Sequence, residues 1–239
     1  MKKKIIAGLT ITLALLALTV LYLAPGLLRW KIERILIQHF PYQEVRVDRC
    51  EWRPHWTLAI DRIVAGKLQL SELQATVGIS HGTLRLDPVQ FRLLDHPIHG
   101  FCEISFAEQP ITHLHLSMEA LPIELVLKTM AWDKKCLVSG LLSGAIDLGL
   151  TGEQLTALDG RLTTLTPGGT ITILDQEFLQ RLATQAKQPI EIVKASFEKY
   201  NYNTGSVGLS LAEKSIRLKL QLEGEQGKRD LEVTLHDFL

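Results

Sequence analysis

Ile216-Arg217-Leu218-Lys219-Leu220-Gln221-Leu222-Glu223 alternates apolar and polar residues without a break. After Gly224 to Arg229 turn the chain, Leu231-Glu232-Val233-Thr234-Leu235-His236 alternates again. Successive side chains of a strand point to opposite faces, so this period of two predicts a hairpin with one apolar and one polar face. Val207, Leu209 and Leu211 predict a third strand in front of it.

The same period runs back through most of the chain. It appears in Val45 and Val47, in Leu58 and Ile60, and in Leu68 and Leu70. It returns in Leu73, Ala75 and Val77, in Leu84 and Leu86, and in Val89, Phe91 and Leu93. Gly100, Cys102, Ile104 and Phe106 alternate next, followed by Leu114, Leu116 and Met118. Ala65-Gly66, His81-Gly82, Asp87-Pro88, His96-Pro97 and Gln109-Pro110 supply turns between them. Short strands separated by such turns predict an antiparallel meander. Leu137 to Ile173 reads as further strand, marked by Gly140, Gly144, Gly152, Gly160, Gly168 and Gly169.

Three helices interrupt the strands. The first runs from Pro122 to Trp132, with Ile123, Val126, Leu127 and Met130 on one face. Asp175 caps the second, which extends to about Lys187 with Phe178, Leu179, Leu182 and Ala186 inward. Pro189 opens the third, which reaches Lys199 with Ile190, Val193 and Phe197 inward. No segment reads as a disordered linker, so residues 41–239 form one domain.

The amino-terminal end is a different kind of chain. Ile5 to Ala24 is an uncharged apolar run, long enough for a helix to cross a bilayer core. It exceeds the apolar region of a signal peptide and ends in Tyr22-Leu23-Ala24-Pro25, without a clear cleavage site. It therefore reads as a retained transmembrane anchor over 5–24, after a cytoplasmic stub over 1–4. Lys2, Lys3 and Lys4 precede the span and Arg29, Lys31 and Arg34 follow it, a near balance. The short stub stays inside, which sends the large domain outward. Residues 27–40 predict a juxtamembrane amphipathic helix, with Trp30 at the membrane–water boundary and Pro41 as its stop.

Composition excludes several functions. The chain has 26 Lys and Arg against 26 Asp and Glu, with no basic stripe, so no nucleic-acid partner is expected. Cys50, Cys102 and Cys136 are odd in number and widely spaced, which fits neither a fully paired framework nor a zinc site. His113 and His115 share a strand face, and His96 and His99 flank a turn. No cluster of further ligands accompanies them, so no metal is expected. Gly78-Ile79-Ser80-His81-Gly82 fits the G-x-S-x-G pattern, but that motif needs a following helix, and Thr83 to Leu86 reads as a strand. Ser80 is a turn residue on this reading. No catalytic residue and no cofactor are expected, and the chain does not read as an enzyme.

The apolar face itself remains, and its alternation fits two arrangements. One is a closed sandwich core, which needs no ligand. The other is an open, curved sheet whose apolar face is a groove for acyl chains. Periodicity alone does not separate them.

The carboxy-terminal half carries a family resemblance. Leu121-Pro122 opens a helix. Gly140 to Leu148, Leu158-Asp159-Gly160-Arg161-Leu162 and Pro167-Gly168-Gly169 follow. This series is similar to the AsmA-like family of bacterial envelope proteins. The closing segment, with Phe197, Tyr200 and Tyr202 and then Ile216 to Gly224, resembles the YdbH-type branch, which carries the label "dicarboxylate transport". The resemblance covers mainly residues 120–239. It implies a β-rich α+β fold: an N-terminal transmembrane helix, a curved antiparallel sheet forming a taco-shaped groove, and a few short helices. It also implies anchorage in the inner membrane, a periplasmic domain, and a part in moving phospholipid or maintaining the envelope.

The expected groove residues are Leu84, Leu86, Ile104, Phe106, Ile146, Leu148, Ile171, Ile173, Leu209, Leu211, Leu218, Leu220, Leu222, Leu231 and Val233. The expected partners are the membrane, phospholipid, and other envelope proteins through exposed strand edges. A structural assembly factor without lipid transfer is the alternative function.

Overall fold

The computed structural model describes residues 26, 27, 29, 30, 32–34, 37, 44–65, 68–105, 108–129, 132–152, 154–213 and 215–235. The expected anchor over 5–24 lies outside them, as does Phe106. No helix among the described residues is long and apolar enough to cross a membrane.

Alternation produces one large antiparallel sheet. Its first strands are β1 (Val45–Val47), β2 (Cys50–Arg53), β3 (Thr57–Ala65) and β4 (Leu68–Ser80). β5 (Thr83–Leu93), β6 (His96–Ser105) and β7 (Ile111–Pro122) continue it. Beyond them come β9 (Leu141–Thr151), β10 (Gln154–Thr164), β13 (Thr204–Ala212), β14 (Ser215–Gly224) and β15 (Gly227–Leu235). The spatial order is β1-β3-β4-β5-β6-β7-β9-β10-β13-β14-β15, with β2 beside β3. Strands lie about 4.8 Å apart, so this path spans about 50 Å. Register shifts in β4, β5, β7 and β10 mark bulges, which bend a strand and raise its twist.

Three strands leave this sheet. β8 (Cys136–Val138), β11 (Gly169–Ile173) and β12 (Tyr200–Tyr202) form a small sheet in the order β12-β11-β8. Two helices pack on it. They are α2 (Gln176–Ala186) and α3 (Ile190–Phe197); α1 (Ile123–Thr129) lies earlier, after β7. Asp175 caps α2 by accepting from the backbone N–H of Glu177 at 2.9 Å and of Phe178 at 3.1 Å. Lys187 ends α2 in the left-handed region.

The helix expected over 122–132 is shorter. The Trp132 N–H donates to the Leu127 carbonyl, which closes a turn after α1. Ala186, expected inward, is exposed; Ala183, one turn earlier, is buried in its place. The final hairpin is tighter than the expected six-residue turn, because Gly224 pairs with Gly227. A Cβ on Gly224 would overlap the Asn201 carbonyl oxygen. The small sheet thus crosses the large one at a point where only glycine fits.

The small sheet and its helices seal a core. Ile171, Leu179, Leu182, Val193, Phe197, Tyr200, Tyr202 and Leu222 are all buried in it. The Tyr200 hydroxyl donates to the Gly227 carbonyl and the Tyr202 hydroxyl to the Ser139 carbonyl. Burial, with the Glu124 charge as a second cause, pushes the Tyr202 hydroxyl up to about 12. The three cysteines are free, and burial raises each thiol above its ordinary value.

The described residues between Gly26 and Ile37 are helical. Ile32 packs against a second buried group, Val47, Ile60 and Ile63. Glu33 Oε1 accepts the Val47 N–H at 3.2 Å and also pairs with Arg29.

Candidate functional site: an open apolar sheet face

Pairing register lines the apolar residues into rows that cross the sheet. One row runs Val89, Gly100, Leu116, Ile146, Gly160, Leu209, Leu218, Val233. A parallel row runs Val77, Leu86, Cys102, Leu114, Leu148, Leu158. A third begins Ile79, Leu84, Ile104. On the opposite face the register lines up Phe101, His115, Asp147, Asp159, Ser210 and Arg217. The sheet therefore has one apolar and one polar side over most of its span.

Burial decides what the apolar side is. Leu84, Leu86, Ile104, Leu114, Ile146, Leu148, Leu158, Leu209, Leu211 and Leu218 are only half-buried. Among the described residues, no second sheet packs over these rows. A closed sandwich would bury them as fully as Ile98, Met118, Leu121, Leu142 and Leu162, which lie at the strand ends nearest α1 and pack with its Ile123 and Val126. The apolar rows thus remain accessible.

The expected groove residues divide accordingly. Leu84, Leu86, Ile104, Ile146, Leu148, Leu209, Leu211, Leu218, Leu220, Leu231 and Val233 lie on this face. Ile171 and Ile173 do not; they belong to β11 of the small sheet and are buried under the helices. Leu222 is on the face but sealed, because the small sheet covers that end of β14. Leu114, Leu116 and Leu158 complete the rows, although they are not among the expected groove residues. Their alternation is visible in the sequence, but their register with Leu148 and Ile146 is not.

The open face meets the sealed core at a cavity of about 640 Å³ between α2, α3 and strands β14 and β15. Leu182, Val193, Phe197, Leu220 and Leu231 supply its apolar wall. Lys228, Arg229, Asp230 and Glu232 also line it, so its charge is mixed. The Arg229 guanidinium stacks on Tyr200, 4.9 Å from the ring centre.

The residues with conventional chemistry are scattered. Ser80 Oγ lies 2.7 Å from His81 Nδ1, in an exposed turn followed by β5 and not by a helix. His115 Nδ1 pairs with Asp147 at 2.7 Å, and its ring stacks on Phe101. Both belong to the polar face. No group of three metal-ligating side chains occurs among the described residues.

Fold and site together define an amphipathic antiparallel sheet with an accessible apolar face. No family model, no curated protein and no solved structure matches the chain. The AsmA-like resemblance therefore rests on the residues quoted above.

Proposed function

We propose that the protein is a membrane-anchored lipid-binding and transfer protein of the bacterial inner membrane, with its large domain in the periplasm. Acyl chains would lie along the apolar rows, in sequence-tolerant contacts worth about 25 cal/mol for each Å² buried. The single observation that carries this reading is the partial accessibility of those rows, which no second sheet covers among the described residues, from β4 across to β15. Apolar side chains in contiguous rows that keep part of their surface accessible mark binding faces in soluble proteins. The apolar run over 5–24 and the AsmA-like resemblance support it further.

The span of about 50 Å limits the role. One copy covers part of an envelope, so transfer would occur at the inner membrane or through a longer assembly. Lys219, Lys228 and Arg229 at the cavity are offset by Asp230 and Glu232, so among the described residues no uncompensated basic cluster marks a phosphate site, and headgroup preference is expected to be weak.

The edge of β15 favours a second reading, an assembly factor that adds a partner's strand. β15 ends the sheet order, and its outer backbone groups have no strand partner among the described residues. Mass spectrometry of the detergent-free domain separates the two. Co-purified phospholipid is the expected outcome; a stoichiometric protein without lipid would favour the second.

A further inference from the structure

The amino-terminal helical residues pack beside the first strands. Ile32 packs on Val47, Ile60 and Ile63, and Glu33 Oε1 accepts the Val47 N–H.

The β2–β3 turn at Pro54–Trp56 and the β4–β5 tip carry the most exposed apolar side chains of the sheet. Ile79 is 75% exposed and Trp56 is 70% exposed. The Val77 N–H donates to the Trp56 carbonyl at 3.0 Å, which sets the β2–β3 turn beside the last residues of β4. Trp52 braces Trp56 edge to face, with ring centres 6.4 Å apart. Leu27 and Trp30, on the amino-terminal helix, are exposed too.

Charge singles out these two tips. No carboxylate occurs from Pro54 to Ile60 or from Gln74 to Leu86. The later turns at the same end of the sheet include Glu108 and Glu213. An indole is at home at the headgroup boundary, whereas a carboxylate is costly there and repelled by anionic lipid.

We propose that the turn Pro54–Trp56 and the β4–β5 tip around Ile79 insert into the headgroup–acyl boundary of the bilayer that residues 5–24 span. This seats the amino-terminal mouth of the apolar face on the lipid. The inference rests on the anchored, lipid-binding reading above and adds the surface by which lipid would enter.

The test uses the full chain in vesicles of phosphatidylethanolamine and phosphatidylglycerol with brominated acyl chains. One variant keeps Trp56 alone, with Trp30, Trp52 and Trp132 changed to Phe. A control keeps Trp132 alone, which follows α1 at the opposite end of the strands. Emission of Trp56 should be blue-shifted and quenched several-fold more than that of Trp132. Emission as in water, with no quenching by bromine, overturns the proposal.

A second variant, Trp56→Ser with Ile79→Ser, is compared with the unmodified chain. Extraction of fluorescent phospholipid from vesicles should slow several-fold. Uptake of a short-chain phospholipid monomer from solution should stay the same. Unchanged extraction also overturns the proposal. If the unmodified chain takes up neither lipid while Trp56 is quenched, the seating stands and the lipid-carrying face fails.

Discussion

Ile171 and Leu148 both occupy apolar positions of alternating strands, yet one is buried and the other only half-buried. Ile171 lies in the small sheet, where α2 and α3 close over it together with Phe197, Tyr200 and Tyr202. Leu148 lies in the large sheet, in a row from Val77 to Leu158 that no second sheet covers among the described residues. Alternation thus sets which side of a strand is apolar. It does not decide whether that side becomes a core or a surface. A covering layer decides, and here only one end of the sheet has one.

The comparison breaks most visibly at Phe197. Phe197→Ala should destabilise the sealed lobe by about 3–5 kcal/mol, since it leaves a cavity that α3 cannot close. Urea unfolding followed by circular dichroism measures this. A loss no larger than that of an exposed substitution would mean the lobe is not sealed.

Charges on the open face should behave in the opposite way. Leu86→Glu with Leu148→Glu puts two carboxylates in one row, separated by two strands. Both can reach water, so stability should fall by only about 1 kcal/mol. Lipid carried by the purified domain should fall sharply. Measured on one sample, failure to fold would return the large sheet to a closed core. Folding with normal lipid content would remove this row from the binding face.

Alkali sharpens the contrast between the two regions. The Tyr202 hydroxyl is raised to about 12 in the folded chain against 10.0 for the free group. The folded state therefore holds that proton more tightly. The stabilisation is complete below pH 10 and is lost as pH rises from 10 to 12. Near-ultraviolet dichroism should show the sealed lobe loosening in this window, and Tyr202→Phe should weaken the dependence.

The smallest effect is expected on the polar face. The His115–Asp147 pair is partly exposed, and His115→Ala should cost less than about 1 kcal/mol. Lipid binding should be unaffected. A large loss of lipid would place the functional surface on the wrong side of the sheet.

Most of the large sheet is legible in local sequence. The strands from Val45 to Met118 and the final hairpin follow alternation and most of the expected turn residues, both of which act between near neighbours; Asp87-Pro88, expected as a turn, instead forms a bulge inside β5. The Asp175 cap and the start of α3 after Pro189 are equally readable, because capping is local chemistry. The expected groove is legible only in part. Ile171 and Ile173 alternate just as Ile146 and Leu148 do on the large sheet, and nothing local distinguishes the two pairs.

What the sequence determined by itself is the set of strands, their two faces and the points where the chain turns. These depend on steric and solvation preferences within a few residues. Tertiary structure alone decided that β8, β11 and β12 leave the large sheet, and that α2 and α3 seal one end of it. It also decided that the amino-terminal helix packs on Val47, Ile60 and Ile63. Those outcomes depend on pairings between residues far apart in the chain, such as Ile171 with Val138 and Gly169 with Tyr202. No local pattern encodes such pairings, because their free energy exists only once the distant surfaces meet.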